Sequence, residues 1–172
     1  MMRRELRSHG FEVLPKNAIT GNREEMEMTI KNNLSNARLS LHLIGEDYGD
    51  SIEGHELSLV DLQNEMANEY SGNLIKENLK KDKKKQFGRL IWISQSIKNI
   101  TERQKIFIEN IKTEAALYEE TEVLEVDLEE MKSIVIEEIE TGGRFHSVNR
   151  DVSGYTEPSK TDSSKIIYLI LD

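Results

Sequence analysis

Residues 38–67 read RLSLHLIGEDYGDSIEGHELSLVDLQNEMA, and their pattern predicts a strand, a loop and a helix in that order. The nearly continuous apolar run at 39–44 is typical of a strand covered on both faces. Gly45 then indicates a tight turn, and Ser58 is placed to begin a helix. Strand, loop and helix make half of a βαβ unit, in which ligands usually bind at the loop leaving the carboxyl end of the strand. We therefore place the candidate site in this loop and in the first turns of the helix.

The rest of the chain continues this alternation of strands and helices. Further strands are predicted at 11–14, 89–94 and 123–126, with helices at 1–9 and 23–37 and helix starts at Ser58, Thr101 and Asp127. The helix that starts at Ser58 is expected to fray near Gly72 and to restart beyond it, because glycine weakens a helix interior. Strict alternation predicts a parallel sheet with right-handed crossovers.

Three of the helix starts carry capping signals. Asn22 is followed three positions later by Glu25, Thr101 by Gln104, and Asp127 by Glu130. In a capping box, the side chain of the N-cap residue accepts a hydrogen bond from the backbone N–H three positions later. The side chain of that later residue accepts a hydrogen bond from the backbone N–H of the N-cap residue. These pairs therefore support the helix starts independently of the apolar spacing.

Length, charge and composition restrict the class of protein. The chain has 172 residues, no cysteine and a formal net charge of −9, so we expect one domain without disulfides or a thiolate metal site. The negative balance argues against a general nucleic-acid or anionic-membrane binder, although 80–85 is a basic cluster that suits a helix end or a partner patch. No apolar run approaches the roughly 20 residues of a membrane span. The expected location is cytoplasmic.

The last 31 residues of the sequence, after residue 141, differ in character from the rest. Residues 142–164 are rich in Gly, Ser and other polar residues and predict a linker, and 165–172 read KIIYLILD, a strongly apolar strand. An unpaired apolar strand is an aggregation hazard, so this one is expected to pair with a sheet. The predicted organisation is an α/β domain at 1–141, a polar linker at 142–164 and a strand at 165–172.

Four phrases along the chain carry a resemblance to a known family: FEVLP at 11–15, LSLHLIGEDYG at 39–49, SLVDLQNEMA at 58–67 and RLIWIS at 89–94. With the order of helices and strands, residues 1–141 resemble a Toll/interleukin-1 receptor (TIR) domain, and more narrowly the bacterial TIR-like modules of defence and signalling proteins. The resemblance implies a flavodoxin-like three-layer fold with a five-stranded parallel sheet in the order 2-1-3-4-5.

Members of this family begin with a strand in the middle of the sheet, whereas this chain begins after it, inside the first helix. A sheet without that strand would leave backbone groups unpaired across about 10 Å. We therefore predict that the terminal strand fills the central slot, as in a circular permutation. Two alternatives are that it docks on another chain in a swapped dimer, or that it is the start of a following module.

The resemblance also implies where a catalytic acid would lie. TIR enzymes that cleave NAD use a glutamate on the helix after the third strand, and the matching position, four residues before Ala67, is Gln63. The neighbouring acids Glu65 and Asp61 are the candidates for catalysis. For Asp61 and for Ser58 the competing interpretation is helix capping, and for Glu65 it is a solvated helix face.

The candidate ligand-binding residues are Gly45, Glu46, Tyr48, Gly49, Ser58 and Gln63. Glu46 and Asp47 make the loop acidic, which disfavours a pyrophosphate unless a metal or lysine compensates. Tyr48 could stack on a base or pack under the loop. Of the scattered histidines, His42 is expected to be a core residue, and His55 is the one on the site loop. No metal site is predicted.

The favoured function is a TIR-like signalling or assembly module of a bacterial defence or signalling protein, with a nucleotide pocket at the loop. The alternatives are an NAD glycohydrolase that uses Glu65 or Asp61, and a catalytically inactive nucleotide sensor, with a nucleoside deoxyribosyltransferase as a more distant fourth. No cofactor is required, and NAD or a related nucleotide is the expected ligand. The expected partners are other copies of the chain or other TIR-like domains.

Overall fold

A computed structural model describes residues 1–46, 48–81, 85–118, 120–141 and 165–171. The helices are α1 (Met2–Ser8), α2 (Arg23–Asn36), α3 (Leu59–Asn78), α4 (Glu102–Ala115) and α5 (Leu128–Thr141). The strands are β1 (Glu12–Leu14), β2 (Leu39–Ile44), β3 (Gly88–Ile93), β4 (Thr121–Leu124) and β5 (Ile166–Leu171). The predicted linker at 142–164 lies outside the described residues, as do Asp47 and Asp172.

All five strands form one parallel sheet in the order β1-β5-β2-β3-β4. The terminal strand β5 lies inside the sheet, where Ile167 pairs with Val13 of β1 and Leu169 pairs with Leu41 of β2. Counting β5 as the first strand turns this order into the expected 2-1-3-4-5. The prediction that the terminal strand completes the sheet is confirmed within a single chain, and its slot is the second position from one edge.

Helices cover both faces of the sheet. One core joins α2, α3 and α4 to the sheet and includes Ile30, Leu34, Leu62, Ile91, Ile111 and Tyr168. The opposite core joins α1 and α5 to the sheet and includes Leu6, Leu41, Leu90, Met131, Val135 and Leu169. The strands are therefore buried on both sides, which explains why β2, β3 and β5 are nearly continuous apolar runs. The result is the expected three-layer, flavodoxin-like arrangement.

The expectation that α3 frays at Gly72 was wrong. The helix runs without interruption from Leu59 to Asn78, and its buried face includes Ala67 and Ser71. A Cβ atom at Gly72 would lie 3.6 Å from the hydroxyl of Tyr118, which packs against this point of the helix. Tertiary packing therefore outweighs the weak helix propensity of glycine.

The fourth strand lies two residues earlier than expected. The pattern placed it at 123–126, but Thr121–Leu124 pairs in register with Arg89–Trp92. The carbonyl of Val126 instead accepts a hydrogen bond of 2.8 Å from the indole nitrogen of Trp92. The apolar side chain of Val126 packs against the core that joins α1 and α5 to the sheet, beyond the end of the strand.

The capping predictions hold, with one change. Asn22 and Glu25 form a complete capping box, and Asp127 accepts a hydrogen bond from the backbone of Glu130. Thr101 accepts from the backbone of Gln104 at 3.2 Å. The side chain of Gln104, however, donates to the carbonyl of Gly45, 2.9 Å away, so the helix start is tied to the candidate loop.

Within the described residues, no helix combines the length and the apolar character needed to cross a membrane.

Candidate functional site

A cleft of about 340 Å³ lies between the first half of α3 and the length of α4, next to the loop that leaves β2. Its lining includes Tyr48, Asp61, Glu65, Arg103, Phe107 and Glu114. Tyr48 comes from the loop, the next two residues from α3 and the last three from α4. The structure thus brings together Tyr48 and the two predicted acids, and it adds three residues that were not expected.

Short-range structure holds the loop in place. Ser58 is buried, and its side chain caps α3 by accepting from the backbone N–H of Asp61 over 3.1 Å. Ser51 and Ser58 form an isolated antiparallel bridge, so the end of the loop folds back on itself. Gly49 has a φ of +82°, a left-handed conformation that favours glycine. The structure therefore gives Gly49 and Ser58 roles in the shape of the loop. Neither of them, nor Gly45, is among the residues that line the cleft.

Tyr48 is the centre of the cleft's contacts. Its hydroxyl donates a hydrogen bond to a carboxylate oxygen of Asp61, and its ring edge meets Phe107 with the centroids 5.4 Å apart. The guanidinium of Arg103 lies over the Tyr48 ring, 4.1 Å from its centroid. Burial raises the pKa of the Tyr48 hydroxyl, and the hydrogen bond to Asp61 raises it further. The ring packs under the loop, and a protein cation already occupies one of its faces.

Carboxylates dominate the electrostatics of the cleft. Partial desolvation raises the pKa of Glu65, and the negative charges of Asp61 and Glu114 raise it further. Partial desolvation also raises the pKa of Glu114, with the charge of Arg89 acting in the opposite direction. The charge of Asp61 raises the pKa values of both Glu65 and Glu114, so a positively charged group in the cleft would relieve this repulsion.

The side chain of Gln63, the position at which the resemblance implied a catalytic acid, points from α3 into the core and does not line the cleft. Its side chain is 5% exposed, and its Nε2 donates a hydrogen bond of 2.6 Å to the hydroxyl of Tyr168 on β5. One turn of helix separates Asp61 and Glu65, and both line the cleft. The structure thus separates Gln63 from the two acids that flank it in sequence.

The remaining candidates lie around the edge of the loop. Glu46 is exposed, and its carboxylate accepts from the backbone of Lys98 at 3.4 Å. His55 is exposed, with its Nδ1 3.4 Å from a guanidinium nitrogen of Arg23 on α2, so it faces α2 instead of the cleft. His42 is buried in β2, as expected, with its ring 6.0 Å from that of Phe107. Asp47 and His146 lie outside the described residues.

Arg89 is a buried cation that the sequence did not indicate. Its side chain is on β3, only 2% exposed, and donates to Asn64 over 2.8 Å and to Asn68 over 2.6 Å. Burial lowers the pKa of Arg89 to about 10, and the charge of Glu114 opposes that shift. An arginine at a strand start is ordinarily expected to reach solvent, so the pattern carried no signal for this burial.

Arg103 and Glu114 were also not predicted from the sequence, although their spacing along the predicted helix could have indicated them. Both lie on α4 at helical spacing from Phe107, the first buried apolar residue of that helix. Projecting α4 as a helix beside α3 would have placed them near Asp61 and Glu65. Among the described residues, no group of three or more His, Asp or Glu side chains is arranged to hold a metal ion.

Comparison with protein-family models, with curated proteins and with solved structures finds no significant match to this chain.

Proposed function

We propose that this chain is a TIR-like signalling or assembly module that acts by binding and does not hydrolyse NAD. The observation that carries the proposal is the position of Gln63, whose amide is buried and bonded to Tyr168. An amide cannot serve as a nucleophile or as a general base at this position. In its place the residue fastens α3 to the strand that completes the sheet, which is a structural role.

The charge of the cleft supports a binding role over dinucleotide chemistry. Asp61, Glu65 and Glu114 line the cleft, and its cation Arg103 is already stacked on Tyr48. A pyrophosphate placed there would meet carboxylates, and this repulsion opposes binding. A module of a bacterial defence or signalling protein that associates with further copies, or with other TIR-like domains, agrees better with this arrangement.

One observation favours a second candidate, an NAD glycohydrolase. Glu65 lines the cleft, and its pKa is raised by partial desolvation and by its acidic neighbours. Such shifts recur at catalytic carboxylates. In this alternative Glu65 or Asp61 would stabilise the positive charge that develops on the ribose.

Nicotinamide release separates the two candidates. We expect none when the full chain is incubated with NAD at high protein concentration, where assembled molecules are also sampled. Release that disappears in Glu65→Gln or Asp61→Asn would establish the hydrolase. Release that persists in both variants would indicate a contaminant. A rise in melting temperature with NAD or ADP-ribose, without release, would instead indicate a nucleotide sensor.

Assembly is tested directly by sedimentation of the full chain over a wide range of concentrations. The proposal predicts that the average mass rises with concentration, alone or after addition of another TIR-like domain. A mass that stays that of one chain under both conditions, together with no nucleotide binding, would contradict the proposal.

A further inference from the structure

We propose that the groove along α3, formed by two cavities that face α4 and the residues just after it, is a docking surface for a basic amphipathic helix of a partner protein. The inference extends the proposed function, because an assembly module needs a surface that fits its partner. It rests on two cavities along one face of α3, on two exposed apolar side chains along the opposite wall, and on the acidic character of the lining.

A second cavity lies further along α3 than the cleft described above. Its volume is about 470 Å³, and it lies between the later half of α3 and residues that follow α4. Its lining includes Asn68, Gly72, Asn73, Lys76, Leu117 and Tyr118. From Asp61 to Lys76, the α3 residues that line the two cavities recur every three or four positions, so they form one face of the helix. At ~1.5 Å per residue this face extends roughly 22 Å, the length of about four helical turns.

A shared floor connects the two cavities. Asn64 lines the first cavity and Asn68 lines the second, and both side chains accept hydrogen bonds from the buried guanidinium of Arg89. Gly72 contributes no side chain to the second cavity, and the Tyr118 hydroxyl, which also lines it, would lie 3.6 Å from a Cβ atom at Gly72. The asparagines at the junction of the two cavities are therefore anchored to the sheet through Arg89.

Two large apolar side chains stand exposed along the wall opposite α3. Ile106 lies on α4, lines the first cavity and is 51% exposed. Leu117 lies in the turn just after α4, lines the second cavity and is 72% exposed. The wall thus presents one apolar side chain beside each cavity, and helix-in-groove recognition uses apolar contacts of this kind. These two residues would meet the apolar face of the bound helix.

The charge of the groove determines the partner. Its described lining includes the carboxylates Glu56, Asp61, Glu65, Glu69, Glu114 and Glu120, against the cations Arg103 and Lys76. The chain as a whole carries a formal net charge of −9. Lysine and arginine beside the apolar face of a partner helix would pair with these carboxylates, whereas an acidic helix would be repelled.

The experiment uses the full chain and a fluorescent synthetic peptide of about 16 residues, four to five helical turns. The peptide carries leucines at i, i+4, i+7 and i+11, and lysines flank that face. Fluorescence anisotropy at moderate salt should show saturable binding that weakens as the salt concentration rises. A peptide with glutamates in place of the lysines should not bind.

Matched variants locate the binding surface. We expect Leu117→Ser and Glu69→Lys each to weaken binding at least roughly fivefold, the size expected for an interface anchor. Met28→Ser is the matched control for the first, because Met28 is a 65% exposed apolar residue on α2. Glu140→Lys is the control for the second, since it makes the same charge change on the exposed surface of α5, on the opposite face of the sheet. Both controls should bind as the unmodified chain does.

Several results would overturn the proposal. One is that the basic peptide does not bind at concentrations up to roughly 1 mM. Another is that the acidic peptide binds as tightly as the basic one. A third is that Leu117→Ser and Glu69→Lys weaken peptide binding no more than their controls do. Self-association that Leu117→Ser and Glu69→Lys abolish would assign the groove to a second copy of the chain and would also overturn it. Because the readout is peptide binding, the docking proposal can fail while the absence of NAD hydrolysis still holds.

Discussion

Gln63 and Tyr168 are 105 positions apart in the sequence, yet the amide of Gln63 donates a hydrogen bond of 2.6 Å to the hydroxyl of Tyr168 in the buried core. The bond joins α3 to β5, the strand that closes the sheet between β1 and β2. It also holds the Gln63 amide in the core, and Gln63 is not among the residues that line the cleft. One contact thus joins α3 to the strand that completes the sheet and fixes the side chain of Gln63 away from the candidate site.

Tyr168→Phe should destabilise the protein by about 1–3 kcal/mol, because the amide of Gln63 would be left buried with one partner fewer. Urea unfolding monitored by circular dichroism measures the change. The control is the double variant Gln63→Leu with Tyr168→Phe, which replaces both polar groups by apolar ones. The double variant should lose less free energy of unfolding than the sum of the losses in Gln63→Leu alone and Tyr168→Phe alone. Additive costs would show that the bond contributes nothing to the stability.

Tyr168 should also make the protein sensitive to alkali. Burial raises the pKa of Tyr168 to about 12, whereas an unfolded chain has a tyrosine pKa of about 10. The folded state disfavours the phenolate form of Tyr168. The stability that the neutral Tyr168 contributes is therefore fully present below about pH 10 and is lost between about pH 10 and pH 12. The loss attributable to Tyr168 is about 2–3 kcal/mol.

Lysines titrate over the same range, so the measurement is the difference between two chains. Urea unfolding from about pH 9 to about pH 12 should show a steeper fall for the unmodified chain than for Tyr168→Phe. Parallel curves would contradict the assignment of the alkaline fall to this residue.

Gly72→Ala should stabilise the protein by about 0.5–1 kcal/mol, because alanine is the better helix former at an interior position. The added Cβ would lie 3.6 Å from the Tyr118 hydroxyl, an ordinary van der Waals distance. Gly49→Ala is the contrasting variant, since the φ of Gly49 is +82° and a side chain there is strained. Thermal unfolding of both variants tests the pair, and a lower melting temperature for Gly72→Ala would show that the close approach of Tyr118 matters more than helix propensity.

Asn64→Ala should destabilise the protein by about 1.5–3 kcal/mol, because it removes a partner from the buried guanidinium of Arg89. Asn68→Ala should lower the free energy of unfolding by less, since Asn68 is half-buried and water can replace its amide. Urea unfolding at neutral pH compares the two variants. Equal costs would indicate that solvent reaches both sides of the guanidinium.

Much of the fold follows from local patterns. The strand predicted at 39–44 has those bounds in the structure, and the capping box of Asn22 and Glu25 marks the start of α2. Apolar spacing and capping residues act over a few neighbouring positions, so they can be recognised without knowledge of the path of the chain. Boundaries that depend on pairing were less well predicted, as β4 shows.

The composition of the site was only partly predictable. Asp61 and Glu65 could be named because they lie on a recognisable helix after a recognisable loop. Arg103 and Glu114 come from a helix about 40 residues further along the chain, and they reach the cleft because α4 packs beside α3. Arg89 is buried because Asn64 and Asn68 supply its hydrogen bonds from another element. Such partners are decided by packing and leave no local pattern.

The amino-acid sequence by itself determined the alternation of strands and helices, the parallel sheet, and the need of an apolar terminal strand for a partner. These features depend on periodicity and on the requirement that backbone groups be paired. The tertiary structure alone decided that Gln63 bonds to Tyr168 and that Arg103 covers Tyr48. Those contacts join residues that are distant in sequence, and side-chain atoms of such residues meet only after the sheet has closed and the helices have packed on it.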